Sequence, residues 1–212
     1  MIGSETEARD WVASTFDVPR ETMARLDAFA ELLRSENERQ NLIAHSTVDH
    51  IWARHIADSA QLLRFAPLSS SSWLDLGTGA GFPGLIVAAL HDGPVTLVES
   101  RKLRVDFLRS AAEILGVTPE ILHTRLERAP IRSYNVISAR AFAGAGRLLP
   151  LSHPFSTEKT RWVLPKGRSA QSELEQLEST WQGDFRLEPS LTDPEARIIV
   201  ADRVRPKRQR KP

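Results

Sequence analysis

A parallel, doubly wound α/β sheet behind an N-terminal helical extension is the fold class this sequence predicts, on three observations. Residues 73–84 read Trp-Leu-Asp-Leu-Gly-Thr-Gly-Ala-Gly-Phe-Pro-Gly, which sets a short apolar strand, a glycine turn and a helix start in direct succession. From Trp73 onward, apolar runs of strand length alternate with segments of helical period, as parallel crossover units require. The residues before that point carry helical periodicity instead.

The elements follow in order. Arg20 to Gln40 reads as an amphipathic helix with Met23, Leu26, Phe29, Ala30 and Leu33 on one face. Ser46 or Thr47 can cap a second helix whose apolar side is Ile51, Trp52, Ile56, Leu62 and Leu63. Four serines, Ser69 to Ser72, lead into the first strand, Trp73 to Leu76. Gly77, Gly79 and Gly81 can take the positive φ of a tight turn, and Pro83 suits the first turn of a helix that continues over Leu85 to Leu90. A second strand, Pro94 to Val98, ends in Glu99, and Arg101 to Leu115 is helical, with Leu103, Phe107, Ala111 and Ile114 on one face and Gly116 as its cap. Strands over Glu120 to Thr124 and Tyr134 to Ala139 flank the loop that carries Arg125, Leu126 and Glu127. A fifth strand, Thr160 to Pro165, ends at Lys166 and Gly167, and a helix spans Ala170 to Trp181. Phe185 to Leu187 and Arg197 to Ala201 read as a closing antiparallel hairpin. The expected division is a helical extension over 1–68, the sheet domain over 69–202 and a basic tail without regular structure over 203–212.

The glycine segment narrows the ligand class. A dinucleotide fingerprint counted from Gly77 needs a third glycine where Phe82 stands, so the pyrophosphate motif fails. The pattern present, with Asp75 two residues ahead of three alternate glycines, resembles the first motif of S-adenosylmethionine-dependent methyltransferases. A carboxylate at that strand end repels a pyrophosphate but suits a ligand that carries a sulfonium and an ammonium. Glu99, twenty-two residues after Gly77, can accept both ribose hydroxyls. The loop at Leu126 and Glu127 lies where a third strand delivers residues to the adenine.

Composition excludes several other classes. The chain has no cysteine among its 212 residues, which removes disulfides, cysteine-ligated zinc, iron–sulfur clusters and pyrimidine methylation through a cysteine nucleophile. His45, His50, His55, His91, His123 and His153 show no metal-ligand spacing, and no metal is expected. No apolar run approaches a membrane span and the N-terminus lacks the character of a signal peptide, so a cytoplasmic location is expected. Net charge is +1, yet six of the 28 Lys and Arg residues fall in the last ten positions, leaving 22 cations against 27 carboxylates in the first 202. Such a tail can add affinity for nucleic-acid phosphates, or serve as a solvated terminus.

Several further patterns point to one family. Asn37, Asn41 and Leu42, the run Arg54-His55-Ile56 with Asp58 and Ser59, the glycine loop from Asp75 to Gly84, and Glu99-Ser100 followed by Arg104, Phe107 and Leu108 together resemble the RsmG (GidB) family of bacterial methyltransferases. Arg125 and Glu127, Arg140-Ala141 and Lys166-Gly167 continue the likeness over most of the chain. Ile43 stands where the family often has threonine, and Ala139 where it has serine. The resemblance implies a class I S-adenosylmethionine-dependent methyltransferase fold (Rossmann-like) that modifies guanine N7 in 16S rRNA, with the rRNA or the small ribosomal subunit as partner.

The chemistry of that reaction sets the expected site. Guanine N7 offers a lone pair and carries no proton, so the attack needs positioning and no general base. The implied cofactor residues are Asp75, Gly77, Gly79, Gly81, Phe82, Glu99, Leu126, Glu127 and Arg140, with Arg140 also the positioning group. Phe82 can pack on the cofactor or target base, or in the core, and Phe142 can stack on RNA. His55, Asp58 and Ser59 can line the substrate cleft or bond along their helix, and Lys166 can meet a phosphate. A methyltransferase of another substrate, or a noncatalytic RNA-binding protein on the same fold, stands as the alternative.

Overall fold

The computed structural model describes residues 1–142 and 145–207. Its sheet grows outward from β1 (Trp73–Leu76), whose four residues are all buried, as expected of a central parallel strand covered on both faces. β1 pairs in parallel with β2 (Val95–Glu99) on one side and β4 (Val136–Ala139) on the other. β3 (Glu120–His123) and β5 (Arg161–Lys166) extend the parallel part, while β7 (Arg197–Pro206) runs antiparallel between β5 and β6 (Trp181–Pro189). The resulting order is β3-β2-β1-β4-β5-β7-β6, which reverses between β1 and β4. A crevice opens beyond the strand ends at such a reversal. Register aligns Leu76 with Val98 and Ala139, so Gly77, Glu99 and Arg140 leave the sheet at one edge.

Two apolar clusters cover the sheet. On one face α1 (Glu5–Thr15), α2 (Arg20–Gln40) and residues 45–65 share a continuous core with α4 (Gly84–Leu90) and α5 (Lys102–Leu115), so the helical extension forms part of the sheet's own core. On the other, α6 (Ala145–Ser152) and α7 (Ala170–Thr180) pack with the β6–β7 hairpin. Among the described residues no helix is long and apolar enough to cross a membrane.

Several elements depart from the sequence expectation. The second N-terminal helix is composite: a 3-10 turn (His45–His50), a π turn (Trp52–Ala57), the short α3 (Asp58–Ala60) and a 3-10 turn (Gln61–Phe65). Neither Ser46 nor Thr47 caps it; Ala44 precedes the first turn, and the Thr47 hydroxyl donates to the Ala44 carbonyl at 2.8 Å. Glu5 supplies an outside acceptor, taking the N–H groups of Trp52 at 2.9 Å and Ala53 at 2.8 Å, just where the helical ladder widens. On α5, Leu103 is 66% exposed because the buried stripe runs through Val105, Leu108, Ala112 and Leu115, with Phe107 and Ala111 beside it. α7 ends at Thr180, and Trp181, expected as its last residue, caps it and opens β6. β7 continues through Pro206, so Arg203 and Arg205, expected in the tail, belong to the sheet; residues 208–212 of that tail lie outside the described residues.

Candidate active site

The glycine turn after β1 has the backbone its sequence calls for, with φ of 63° at Gly77, 60° at Gly79 and 92° at Gly81. A Cβ on Gly77 would stand 2.4 Å from the Phe142 ring, and one on Gly84 would stand 2.1 Å from Leu97 and 2.8 Å from the Asp75 carboxylate. The turn can therefore pack this closely only with glycine at both positions. Asp75 is fully buried beneath it. One carboxylate oxygen accepts from the Ser138 hydroxyl at 2.7 Å, and the other from the Gly84 N–H at 3.0 Å. Ser138 in turn accepts from the Trp73 indole N–H at 2.8 Å. Burial pushes the Asp75 carboxyl above its ordinary pKa, against these donors. Asp75 lines neither of the cavities described below, and its carboxylate fastens the turn to β4 and to the start of α4.

A first cavity of about 400 Å³ opens at the ends of β1 and β2. Gly77, Glu99, Leu126, Glu127 and Phe142 line it, together with Arg101, Arg104 and Arg147. The Glu99 carboxylate is almost fully buried and accepts the N–H groups of Ser100 at 2.7 Å, Arg101 at 2.8 Å and Gly79 at 3.2 Å. Three of its roughly four lone-pair directions are thus in use. One remains for a ribose hydroxyl, where the sequence suggested two. Gly79 and Gly81 shape the turn without lining the cavity. Leu126 is buried at the wall, Glu127 is exposed at the rim, and the Phe142 ring lies against Gly77 in the lining of this cavity. Two carboxylates, one buried and one at the rim, with apolar walls and several guanidinium groups form a set that fits a nucleoside bearing an amino-acid arm, such as S-adenosylmethionine.

A second cavity, of about 580 Å³, adjoins the first, and Ala141 lines both. The substrate candidates His55, Asp58 and Lys166 line it, joined by Thr47, Arg54, Thr192 and Arg197; Arg140, expected at the cofactor, lines this cavity and not the first. Arg140 Nη1 lies 3.1 Å from His55 Nδ1 and 3.7 Å from Asp58 Oδ2, and its guanidinium carbon sits 4.9 Å from the Phe82 ring centre. Burial holds the pKa of this guanidinium below its usual value, while Asp58 and Asp75 pull the other way. Asp58 Oδ1 accepts from Gln61 at 2.8 Å and from Thr192 at 2.7 Å. Arg54 pairs with Asp193 at 2.8 Å.

Three candidates differ from expectation: Phe82 and Ser59 lie outside both cavities, and Lys166 lines the second with its charge already matched. Phe82 is only 2% exposed, packed against Phe29 with ring centres 5.6 Å apart; it is a floor under His55 and Arg140 and does not reach either cavity. Ser59 points away from the cleft and donates to the His55 carbonyl at 2.6 Å, the local helical bond that a mid-helix serine commonly makes. The Lys166 side chain is 9% exposed and pairs with Glu173 at 2.8 Å, so its charge is matched within the wall and is not presented to a phosphate. Burial opposes ionisation of Glu173, but Lys166 and Ser169 outweigh it and hold the carboxyl below its ordinary pKa.

A family model described as rRNA small subunit methyltransferase G matches residues 22–192. The chain is 50% identical over 212 residues to the "Ribosomal RNA small subunit methyltransferase G" of Zymomonas mobilis, covering 96% of each. It is 53% identical over 214 residues to the protein of the same name from Rhizorhabdus wittichii, covering 98% of this chain and 96% of that one. The chain belongs to this family. Among solved structures, an O-methyltransferase from Bacillus cereus in complex with SAH matches at a TM-score of 0.59 and 12% identity, over 91% of this chain and 96% of that one. A ribosomal protein L11 methylase from Lactobacillus delbrueckii subsp. bulgaricus matches at 0.59 and 15%, over 71% and 78%. These likenesses establish the class I methyltransferase fold that the strand order already describes.

In this member of the family, sequence reasoning missed Thr47, Thr192 and Arg197 in the second cavity and Arg147 in the first. Thr47 carries only a capping signal in the sequence, and it meets His55 across a 3-10 turn followed by a π turn that the periodicity does not announce. Thr192 reaches Asp58 from 134 positions away, in a connection that carries no motif. Among the described residues no cluster of three or more His, Asp or Glu side chains is placed to hold a metal ion.

Proposed function

We propose that this chain transfers a methyl group from S-adenosylmethionine to N7 of a guanine in 16S rRNA, guanine 527 in the 530 loop, with the cofactor in the first cavity and the guanine in the second. The observation that carries this reading is that Ala141 lines both cavities beside Arg140, so a base in one faces a cofactor in the other across a single residue. When bound, S-adenosylmethionine supplies an electrophilic methyl on a sulfonium. The chain's own groups bind and orient. Glu99 would offer its remaining lone pair to a ribose hydroxyl, Leu126 and Glu127 would border the adenine, and the arginines of the first cavity would hold the amino-acid carboxylate. Arg140 can give one N–H to guanine O6; a bidentate grip on O6 and N7 would occupy the nucleophile itself. The names of the relatives support rRNA of the small subunit as the substrate.

The product identifies the atom attacked. Methylation at N7 makes a cationic purine that mild reduction followed by aniline cleaves, whereas methylation of an exocyclic amine or a ribose hydroxyl leaves the strand resistant. Incubating the chain and labelled S-adenosylmethionine with small subunits that lack the modification is expected to place one methyl on one guanine of the 530 loop. Arg140→Ala should lower the rate by about tenfold to a hundredfold, the scale of a mispositioned reactant. Label in protein, in a small molecule or at an aniline-resistant nucleotide would contradict the assignment and leave the fold untouched. A chain that binds no cofactor in a stoichiometric titration would point to a noncatalytic role.

A further inference from the structure

Arg140 is held by an imidazole for which the surrounding groups allow only one protonation state. A guanidinium has donors and no acceptor, so His55 Nδ1, 3.1 Å from Arg140 Nη1, must present its lone pair. The single proton of the neutral ring then lies on Nε2, 2.9 Å from Thr47 Oγ1. Thr47 gives its own hydroxyl proton to the Ala44 carbonyl at 2.8 Å, which leaves the threonine oxygen to accept. Donors and acceptors therefore alternate without conflict from Arg140 through His55 and Thr47 to the backbone.

We propose that Thr47 and His55 form a positioning relay for Arg140, in which the threonine selects the Nε2–H tautomer of His55 and the exposed imidazole lone pair sets the guanidinium where the two cavities meet. Neither residue needs to touch substrate in this role. The relay rests on the reading that Arg140 orients the target base, but its chemistry is visible without RNA.

Packing reinforces the bonds. The His55 ring stacks on Phe82 with centres 5.0 Å apart and planes 25° from parallel, and Arg140 lies over the same ring. Phe82 rests on Phe29 in the core, so imidazole and guanidinium share one rigid floor. Asp58 contributes charge at 3.7 Å but cannot fix direction at that distance, and its other oxygen is bonded to Gln61 and Thr192. A proton on Nδ1 would destroy the acceptor and set two cations side by side. Burial first, then Arg140 and Arg54, bring the His55 pKa down to about 3, so the ring stays neutral where histidines usually titrate.

Two measurements on the intact chain test the relay. Nitrogen-resolved imidazole spectra of the cofactor-free protein should show His55 as the neutral Nε2–H tautomer, unchanged between about pH 5 and pH 8. An Nδ1–H tautomer or a cation in that range overturns the proposal whatever the RNA substrate proves to be. In single turnover with small subunits, His55→Phe keeps the ring stack and loses the acceptor, and should slow methyl transfer by about tenfold to a hundredfold while changing KM by less than about threefold. His55→Asn, whose side-chain oxygen can take the Nδ1 position, should recover most of the rate, and Thr47→Val should fall between. Equal losses in the Phe and Asn variants, or a loss confined to KM, would reduce His55 to packing. Wild-type chain that methylates no rRNA would defeat the functional reading, and the spectra would still decide the relay.

Discussion

Replacing Asp75 by alanine is expected to lower the folding stability by about 2–6 kcal/mol, because two buried donors each lose an acceptor worth about 1–3 kcal/mol. The donors are the Ser138 hydroxyl and the Gly84 N–H, and both sit at the junction of β1, β4 and α4. Thermal unfolding should report the loss as a fall of several degrees in Tm, at about 2–4 °C per kcal/mol for a domain of this size. The pH dependence has a definite sign. Burial raises the folded-state pKa of Asp75 above its ordinary 3.8, so its contribution to stability is fullest with the carboxyl protonated and declines as pH rises from 3.8 through the raised value. The stability gap between wild type and Asp75→Ala should accordingly be wider at about pH 5 than at about pH 8. A gap that widens with pH would mean that the ionised carboxylate, and not the neutral one, is the better partner for this pocket.

Glu99→Ala should weaken S-adenosylmethionine binding by about 1.5–3 kcal/mol, the range for hydrogen bonds to a charged group, or about tenfold to a hundred-and-fifty-fold in Kd. Part of the loss is indirect. The same carboxylate holds the N–H groups of Gly79, Ser100 and Arg101, so its removal slackens the glycine turn as well as deleting the hydroxyl acceptor. Glu127→Ala is the informative partner, because Glu127 borders the same cavity at an exposed rim where a bond competes with water. Calorimetric titration of both variants, with their thermal midpoints measured in parallel, should give a large loss at Glu99 and a small one at Glu127. Equal, small losses would remove Glu99 from the cofactor site.

The parts of the fold that were readable in the sequence are those whose cause is local. α2 ends where its periodicity ends, at Gln40, and Asn41 follows in the left-handed conformation that closes a helix. β1, its glycine turn and the Glu99 strand end were equally plain, because a four-residue buried strand and a positive-φ turn each demand particular residues. α6 was not legible: Pro150 lies within it and Gly144 and Gly146 flank its start, which argues against a helix until the packing of Leu148 and Leu149 against the sheet overrides local preference. The composite turn over 45–65 was hidden for a different reason, since its widening depends on a carboxylate 47 positions away. Phe82 shows the limit for the site. Its place after a glycine motif says that it is near the ligand, and only the three-dimensional contact with Phe29 says that it faces inward.

The position of β7 bears on when the enzyme can come into being during synthesis. β7, the last of the described strands in chain order, is inserted between two that precede it, and the connection into it carries Thr192, which closes on Asp58 at the wall of the second cavity. A nascent chain that has extruded everything through β6 would still have the edge of β5, residues Arg161–Lys166, without its antiparallel neighbour. Such an edge is sticky and open to wrong pairing. The second cavity is therefore completed only after β7 has left the ribosome, so a partly translated chain holds the glycine turn without the wall that Thr192 and Arg197 close.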